Sequence, residues 1–252
     1  MTTIGIIPAR AGSKRVKGKN FRMLGAKTLL ERAIDTALAV PELDKVVVTS
    51  DSEEALTTCN FYAEERLRCM KRPDHMATDE SPAIDYVRHV LKRYPADVVA
   101  IIQPSSPFTE PQDVSACLWH LDTMLFGAAA TVAPLPFDHH PKKLVMAFMT
   151  HGGDPEMVPV FTDGDLSMMR HKSDCYVRNG SVYATITRNV HQYGVLMPET
   201  FAGVMMPPER SLDINDEWDW ELALMMERRL RERREETREH RAGGKGTSGS
   251  KA

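Results

Sequence analysis

Between Arg10 and Asn20 the chain reads Arg-Ala-Gly-Ser-Lys-Arg-Val-Lys-Gly-Lys-Asn, with Arg10, Lys14, Arg15, Lys17 and Lys19 as cations. Gly12 and Gly18 let the backbone turn and approach a ligand closely. Exposed amides and the Ser13 hydroxyl can donate to phosphate oxygens. Arginine adds a planar fork and lysine a compact point charge. A triphosphate carries about four negative charges, so several cations are needed to hold it and to steady a departing pyrophosphate. The segment is not a Walker loop, because five residues separate Gly12 from Gly18 and Asn20 follows Lys19 where Ser or Thr is required. A solvated basic turn or import-type cluster is the competing reading. The loop's place directly after the first apolar run argues against it, since parallel sheets bind ligands beyond the carboxyl ends of their strands.

The elements that must position this loop alternate in type. Thr3 to Ile7, Lys45 to Thr49, Val98 to Gln103, Ala128 to Ala133 and Ser181 to Ile186 are short apolar runs, the pattern of strands covered on both faces. Between them, Leu29 to Val40 reads as a helix. Ile84, Val87, Leu91 and Tyr94 recur at helical spacing, as do Val114, Cys117, Leu118, Leu121 and Leu125. For the latter helix Thr109 is the expected N-cap, with Pro111 in the first turn and Gln112 three residues on. Strand–helix alternation predicts right-handed crossovers and a mainly parallel sheet. The pattern breaks between about residues 134 and 175, which read as an inserted subregion or oligomerisation arm. Leu222, Met226 and Leu230 form a last helical stripe, followed by a mixed-charge helical extension and, from Ala242, a Gly/Ser/Lys tail expected to be disordered. Residues 1–227 thus form the folded domain and 228–252 the extension.

Bulk properties exclude several classes. The 252 residues are 42% hydrophobic and 27% charged, ordinary for a globular chain. A formal net charge of −3 provides no global field for nucleic acid. No apolar run approaches the roughly 20 residues of a membrane span. Cys59, Cys69, Cys117 and Cys175 form no C-x-x-C pair or zinc signature, and their scatter suits a reducing compartment. The expected location is the cytoplasm.

Five segments together resemble one family. Ile7-Pro8-Ala9-Arg10-Ala11-Gly12-Ser13-Lys14-Arg15, with Lys19-Asn20, is similar to the opening signature of the acylneuraminate cytidylyltransferases, the CMP-sialic acid synthetase family. Arg72-Pro73 with Ala77-Thr78-Asp79-Glu80-Ser81, Gln103-Pro104-Ser105-Ser106-Pro107, Asn179-Gly180-Ser181-Val182-Tyr183 and Ser211-Leu212-Asp213-Ile214-Asn215 follow in family order. The resemblance runs from residue 4 to about residue 226. It implies a three-layer, mainly parallel, Rossmann-like nucleotidyltransferase sheet with an inserted dimerisation arm. The implied reaction joins the anomeric hydroxyl of a nine-carbon α-keto acid sugar to the α-phosphate of CTP, with Mg²⁺ assisting and pyrophosphate leaving. By resemblance Arg10 and Lys19 neutralise the phosphates and Ser13 contacts them. Asn20, Arg72 and Ser81 hold the cytidine, Gln103 contacts the sugar, and Asn179 belongs to the substrate site.

The resemblance also points to a metal. Asp213 is the candidate, because Mg²⁺ takes carboxylate and phosphate oxygens and keeps several waters. The family pattern has a second Asp two residues on, which an extended segment would put on the same face. Here that residue is Asn215, a poorer ligand, and Asp216 follows it. Either Asp213 works with water, or Asp216 contributes, or the arrangement differs; all three residues also suit a helix N-cap. Lys143 aligns with a family cation that reaches the facing subunit's sugar. Arg170 stands where the family meets the sugar carboxylate, with Arg178 as the other possibility. His139 and His140 have no third ligand at a sensible spacing and read as structural. A homodimer with no nucleic-acid or membrane partner is implied. The alternatives are a same-fold nucleotidyltransferase for another acidic sugar such as Kdo, and a catalytically weak nucleotide-binding or scaffold protein.

Overall fold

The computed structural model describes residues 1–13, 15–123, 126–136, 139, 141, 144–149, 155–160 and 175–243. Lys14, His140, Lys143, Arg170 and the tail after Gly243 lie outside them.

A seven-stranded sheet forms the centre. Its strands are β1 (Thr3–Pro8), β4 (Lys45–Ser50), β5 (Leu67–Lys71), β6 (Val98–Ile102), β7 (Ala128–Pro134), β10 (Tyr176–Ile186) and β11 (Ala202–Met205), in the spatial order β11-β7-β10-β6-β1-β4-β5. β10 runs antiparallel to both of its neighbours; the other pairings are parallel. Two small sheets stand apart: β2 (Met23–Leu24) with β3 (Lys27–Thr28), and β8 (Val145–Met149) with β9 (Pro155–Pro159), each antiparallel.

Side chains alternate between the two faces of the strands, as the two-residue period requires. Ile7, Val46, Val48, Ala100 and Ile102 face one way and pack with α1 (Leu29–Leu38), α2 (Glu53–Phe61) and α4 (Pro111–Asp122). Ile4, Ile6, Val47, Val99 and Ile101 face the other way and pack with α3 (Ala83–Arg93). The result is the expected three-layer, Rossmann-like architecture. A third apolar cluster joins Val16, Leu24, Phe108, Ile214 and Trp220 beneath the basic loop and the start of α5 (Glu217–Gly243).

Local signals explain most helix starts. Thr28 and Glu31 form a capping box on α1. α4 departs from expectation: Glu110 is its cap, paired with Asp113, and Pro111 is its first residue. Thr109 instead donates its hydroxyl to the Ser106 carbonyl at 2.8 Å. The stretch from 134 to 175 is less irregular than its sequence suggests, since it contains β8 and β9. Cys59 and Cys69, ten residues apart, form a disulfide between α2 and β5, which runs against the reducing compartment expected from the scatter of the cysteines.

Candidate functional site

The basic loop leaves the carboxyl end of β1 and is fastened at both ends. Ala9 donates its amide to the Thr49 carbonyl at 3.1 Å, and Ala11 donates to Asp51 Oδ1 at 2.8 Å. The Ser50 hydroxyl donates to the Ala9 carbonyl. Val16 is buried in the third apolar cluster, so the loop has its own anchor among its cations. Gly18 takes a left-handed conformation (φ +60°), which a side chain would resist, and starts the turn carrying Lys19 and Asn20. Asn20 is buried and donates its amide to the Arg10 carbonyl at 3.0 Å, closing the loop on itself.

A cleft of about 320 Å³ opens over this loop. Of the expected site residues it is lined by Arg10, Ser13, Lys19, Asn20, Arg72, Ser81, Gln103, Asp213 and Asn215. Residues from the first and last thirds of the chain thus meet in one place. Lys19 Nζ donates to the Ile214 carbonyl at 2.5 Å, tying the loop to the segment that bears Asp213. Burial holds the Lys19 ammonium below its ordinary range; Asp213 opposes that shift, and Arg10 and Arg15 add to it. An ammonium so placed gains from an anion entering the cleft. Arg10 pairs with Asp79 at 2.5 Å, so phosphates would compete with a carboxylate for it.

Arg72 is nearly fully buried, at 4% exposure. Its backbone amide donates to the Ser50 carbonyl at 2.7 Å, and Nη2 donates to the Thr49 carbonyl at 2.8 Å. Ser81 donates its hydroxyl to the His75 carbonyl at 2.9 Å, shaping the loop after β5.

Asp213 Oδ1 is buried without a hydrogen-bond partner, while Oδ2 accepts from Asn215 Nδ2 at 3.1 Å. Among the described residues no three His, Cys, Asp or Glu side chains gather into a metal cage. An orphaned carboxylate oxygen therefore fits a cation that takes its other ligands from phosphate and water, as Mg²⁺ does. Asp216 is turned away from this role. Its Oδ1 accepts from the Asp219 amide at 2.9 Å, and Asp219 Oδ2 accepts from the amides of Asn215 and Asp216, which is the N-terminal cap of α5.

Asn179 does not line the cleft. Its Oδ1 accepts from Thr131 Oγ1 at 2.7 Å and from the Ser181 amide at 3.2 Å, and its Nδ2 donates to Ser211 Oγ at 2.9 Å. It braces the segment two residues ahead of Asp213. Gly180 follows at φ +80°, where the β10–β7 register shifts. A Cβ there would lie 3.5 Å from the Asp213 carboxylate. Gly180→Ala is expected to cost about 1–2 kcal/mol from the left-handed backbone alone, and relief of that strain beside Asp213, which a Cβ would meet only in ordinary contact, should lower turnover. Urea unfolding and steady-state rates check it; an unchanged rate would detach the glycine from the site.

Sequence reasoning did not single out Tyr86 or Asp79 as site residues. Tyr86 lines the cleft, but in the sequence it is one more apolar-face residue beside Val87. Arg178 lies 6.0 Å over the Phe201 ring. A larger cleft, about 450 Å³, lies between α1 and α5. Its cations are paired, Lys27 with Asp35, Arg32 with Glu227 and Arg210 with Asp113, so it offers little free charge to a ligand.

The chain is 28% identical over 228 residues to the N-acylneuraminate cytidylyltransferase of Escherichia coli, covering 90% of this chain and 52% of that protein. It is 26% identical to the CMP-N,N'-diacetyllegionaminic acid synthase of Legionella pneumophila, covering 88% of this chain and 94% of that one. The chain thus spans about half the length of the first relative and nearly all of the second. In fold it matches a CMP:2-keto-3-deoxy-manno-octonic acid synthetase solved with CTP, at TM-score 0.64 and 17% identity over 91% of this chain and all of the other. The cytidylyltransferase family model matches residues 4–134, over half of the length, and the chain belongs to the cytidylyltransferase family.

Proposed function

We propose that this protein transfers CMP from CTP to the anomeric hydroxyl of a nonulosonic, sialic-type acid and releases pyrophosphate. The observation that carries the proposal is the meeting of Arg10, Lys19 and Asp213 in one cleft, joined by the Lys19–Ile214 hydrogen bond. The names of the Escherichia coli and Legionella relatives support a nine-carbon acidic sugar, and the length shared with the Legionella protein supports it further.

In this reading Arg10 and Lys19 neutralise the phosphates and stabilise charge on the leaving pyrophosphate. Ser13 and the loop amides orient them. Asn20, Arg72 and Ser81 hold the cytidine, and Gln103 faces the sugar. Asp213 would hold Mg²⁺ through its unpartnered Oδ1, and Asn215 fixes the Asp213 carboxylate by its hydrogen bond to Oδ2. The metal's chemistry is to ease deprotonation of the attacking hydroxyl and to offset charge on the α-phosphate. Lys143 and Arg170 remain candidates for the sugar's carboxylate. The exposed Leu144, Met146, Met157 and Val160 around β8 and β9 support a homodimer built through this arm. A cytoplasmic enzyme is the accompanying reading; among the described residues no helix is long and apolar enough to cross a membrane.

Pyrophosphate release from CTP with sialic, legionaminic, pseudaminic and Kdo-type acids is the test. CMP conjugates are expected with at least one nonulosonic acid. Preference for Kdo would move the proposal to another acidic sugar, and preference for UTP or GTP over CTP would sink it. Intact CTP binding with no turnover on any acid would favour a binding protein.

A further inference from the structure

Arg72 is the only one of the candidate cytidine contacts whose charge is buried, and something must hold its plane. The guanidinium carbon lies 4.5 Å over the centroid of the Tyr86 ring. Tyr86 is itself 8% exposed, sits in the first turns of α3 and packs in the core with Val87, Val90, Ile4 and Ile6. The ring is thus fixed by the fold and does not follow the ligand. On the edge toward β4, Arg72 Nη2 donates to the Thr49 carbonyl, while Nε is buried without a hydrogen-bond partner. One carbonyl alone leaves the guanidinium free to turn about that bond; a ring face beneath it removes the freedom.

We infer that Tyr86 is a positioning residue that sets the plane of Arg72 and thereby the preference of this site for cytosine over uracil. The inference rests on the reading of Arg72 as a cytidine contact. A guanidinium only donates hydrogen bonds. Cytosine presents two adjacent acceptors, O2 and N3, whereas uracil carries a hydrogen on N3. A planar fork distinguishes the two only if it is held in the plane of the base. Were Arg72 free to rotate, it would settle on whichever carbonyl oxygen either base offers. Tyr86 touches neither base nor phosphate in this scheme and acts only through Arg72.

The test compares Tyr86→Phe, Tyr86→Met and Tyr86→Leu with Arg72→Met, measuring kcat and KM for CTP and UTP with the accepted sugar. Tyr86→Phe keeps the ring and should match the unaltered protein. Tyr86→Met and Tyr86→Leu keep an apolar filling but lose the ring face. Either one that folds, judged by circular dichroism, should raise the KM for CTP about tenfold. Its kcat should be retained, and its preference for CTP over UTP should shrink by a similar factor. Unchanged KM and preference in a folded ring-less variant would overturn the inference. So would a Tyr86→Phe variant as impaired as Tyr86→Met, or a KM that rises equally for CTP and UTP. If Arg72→Met itself leaves the KM for CTP unchanged, the reading of Arg72 fails, which is a separate result.

Discussion

Asp213→Ala is expected to lower CMP transfer by about 10³-fold or more at saturating Mg²⁺ and CTP, without weakening the fold. Asp213 Oδ1 is buried and has no protein partner. Leaving such an atom unsatisfied costs about 1–3 kcal/mol. Removing the carboxylate relieves that cost but also takes away the charge that offsets burial of the Lys19 ammonium and the acceptor of the Asn215 side-chain bond, so the stability of the metal-free protein should change little. Added Mg²⁺ with CTP should raise the melting temperature of the unaltered protein more than that of the variant. Pyrophosphate release and thermal unfolding with and without Mg²⁺ check both halves. Near-normal turnover would remove Asp213 from the mechanism. Asn215→Asp is the companion variant. Unchanged turnover and Mg²⁺ dependence there would mean that the second carboxylate of the family pattern is not limiting in this chain.

The largest loss of stability is expected from Arg210→Ala. Arg210 grips Asp113 with two bonds, Nη1 to Oδ2 at 2.5 Å and Nη2 to Oδ1 at 2.9 Å. The Arg210 and Asp113 side chains are 17% and 5% exposed. The pairing with Asp113 also raises the Arg210 guanidinium above its ordinary range, against the effect of burial. Stranding the buried Asp113 carboxylate should cost about 3–5 kcal/mol. For a chain of this size that is a fall in melting temperature of roughly 10 °C. The double change Arg210→Met with Asp113→Leu should recover part of the loss, because it strands no charge but gives up the acceptor of the Glu110 amide at the start of α4. A loss below about 1 kcal/mol in the single variant would mean that water reaches Asp113 once the arginine has gone. Arg210 stands three residues ahead of Asp213, so activity should fall with it, and the double variant separates the two effects.

The central strands were legible in the sequence because they are buried on both faces and read as unbroken apolar runs. β5 was not. It is an edge strand, Leu-Arg-Cys-Met-Lys, with only Leu67 buried, so nothing in its pattern separates it from a loop. α2 escaped for a related reason, since only Ala55 and Cys59 are buried along it. The cap of α4 was misplaced by one residue because Thr109 and Glu110 both suit the position, and hydrogen bonding to Ser106 decides between them. In the site, the basic loop and Asp213 were legible from charge and order. Their contact was not, since no local rule predicts that Lys19 reaches the Ile214 carbonyl. Asn179 was visible only as part of a motif. Its amide turns out to satisfy buried neighbours, so in this fold the motif braces the metal candidate from behind. Tyr86 has no signature at all, because its role depends on which side chain lies above it.

The antiparallel β10 has a consequence for how the chain comes together. β7 bonds only to β10 and β11 within the large sheet, and both follow residue 134, where the family match ends. A nascent chain that has emerged only that far holds β6 with one open edge and β7 with no strand to pair with. Its sheet stays divided until residues 176–186 slot between them. The segment that the family model matches is therefore not by itself a unit of folding. Cut out alone, it would expose three edges that the full sheet pairs, one on β6 and two on β7, the kind of surface on which chains aggregate.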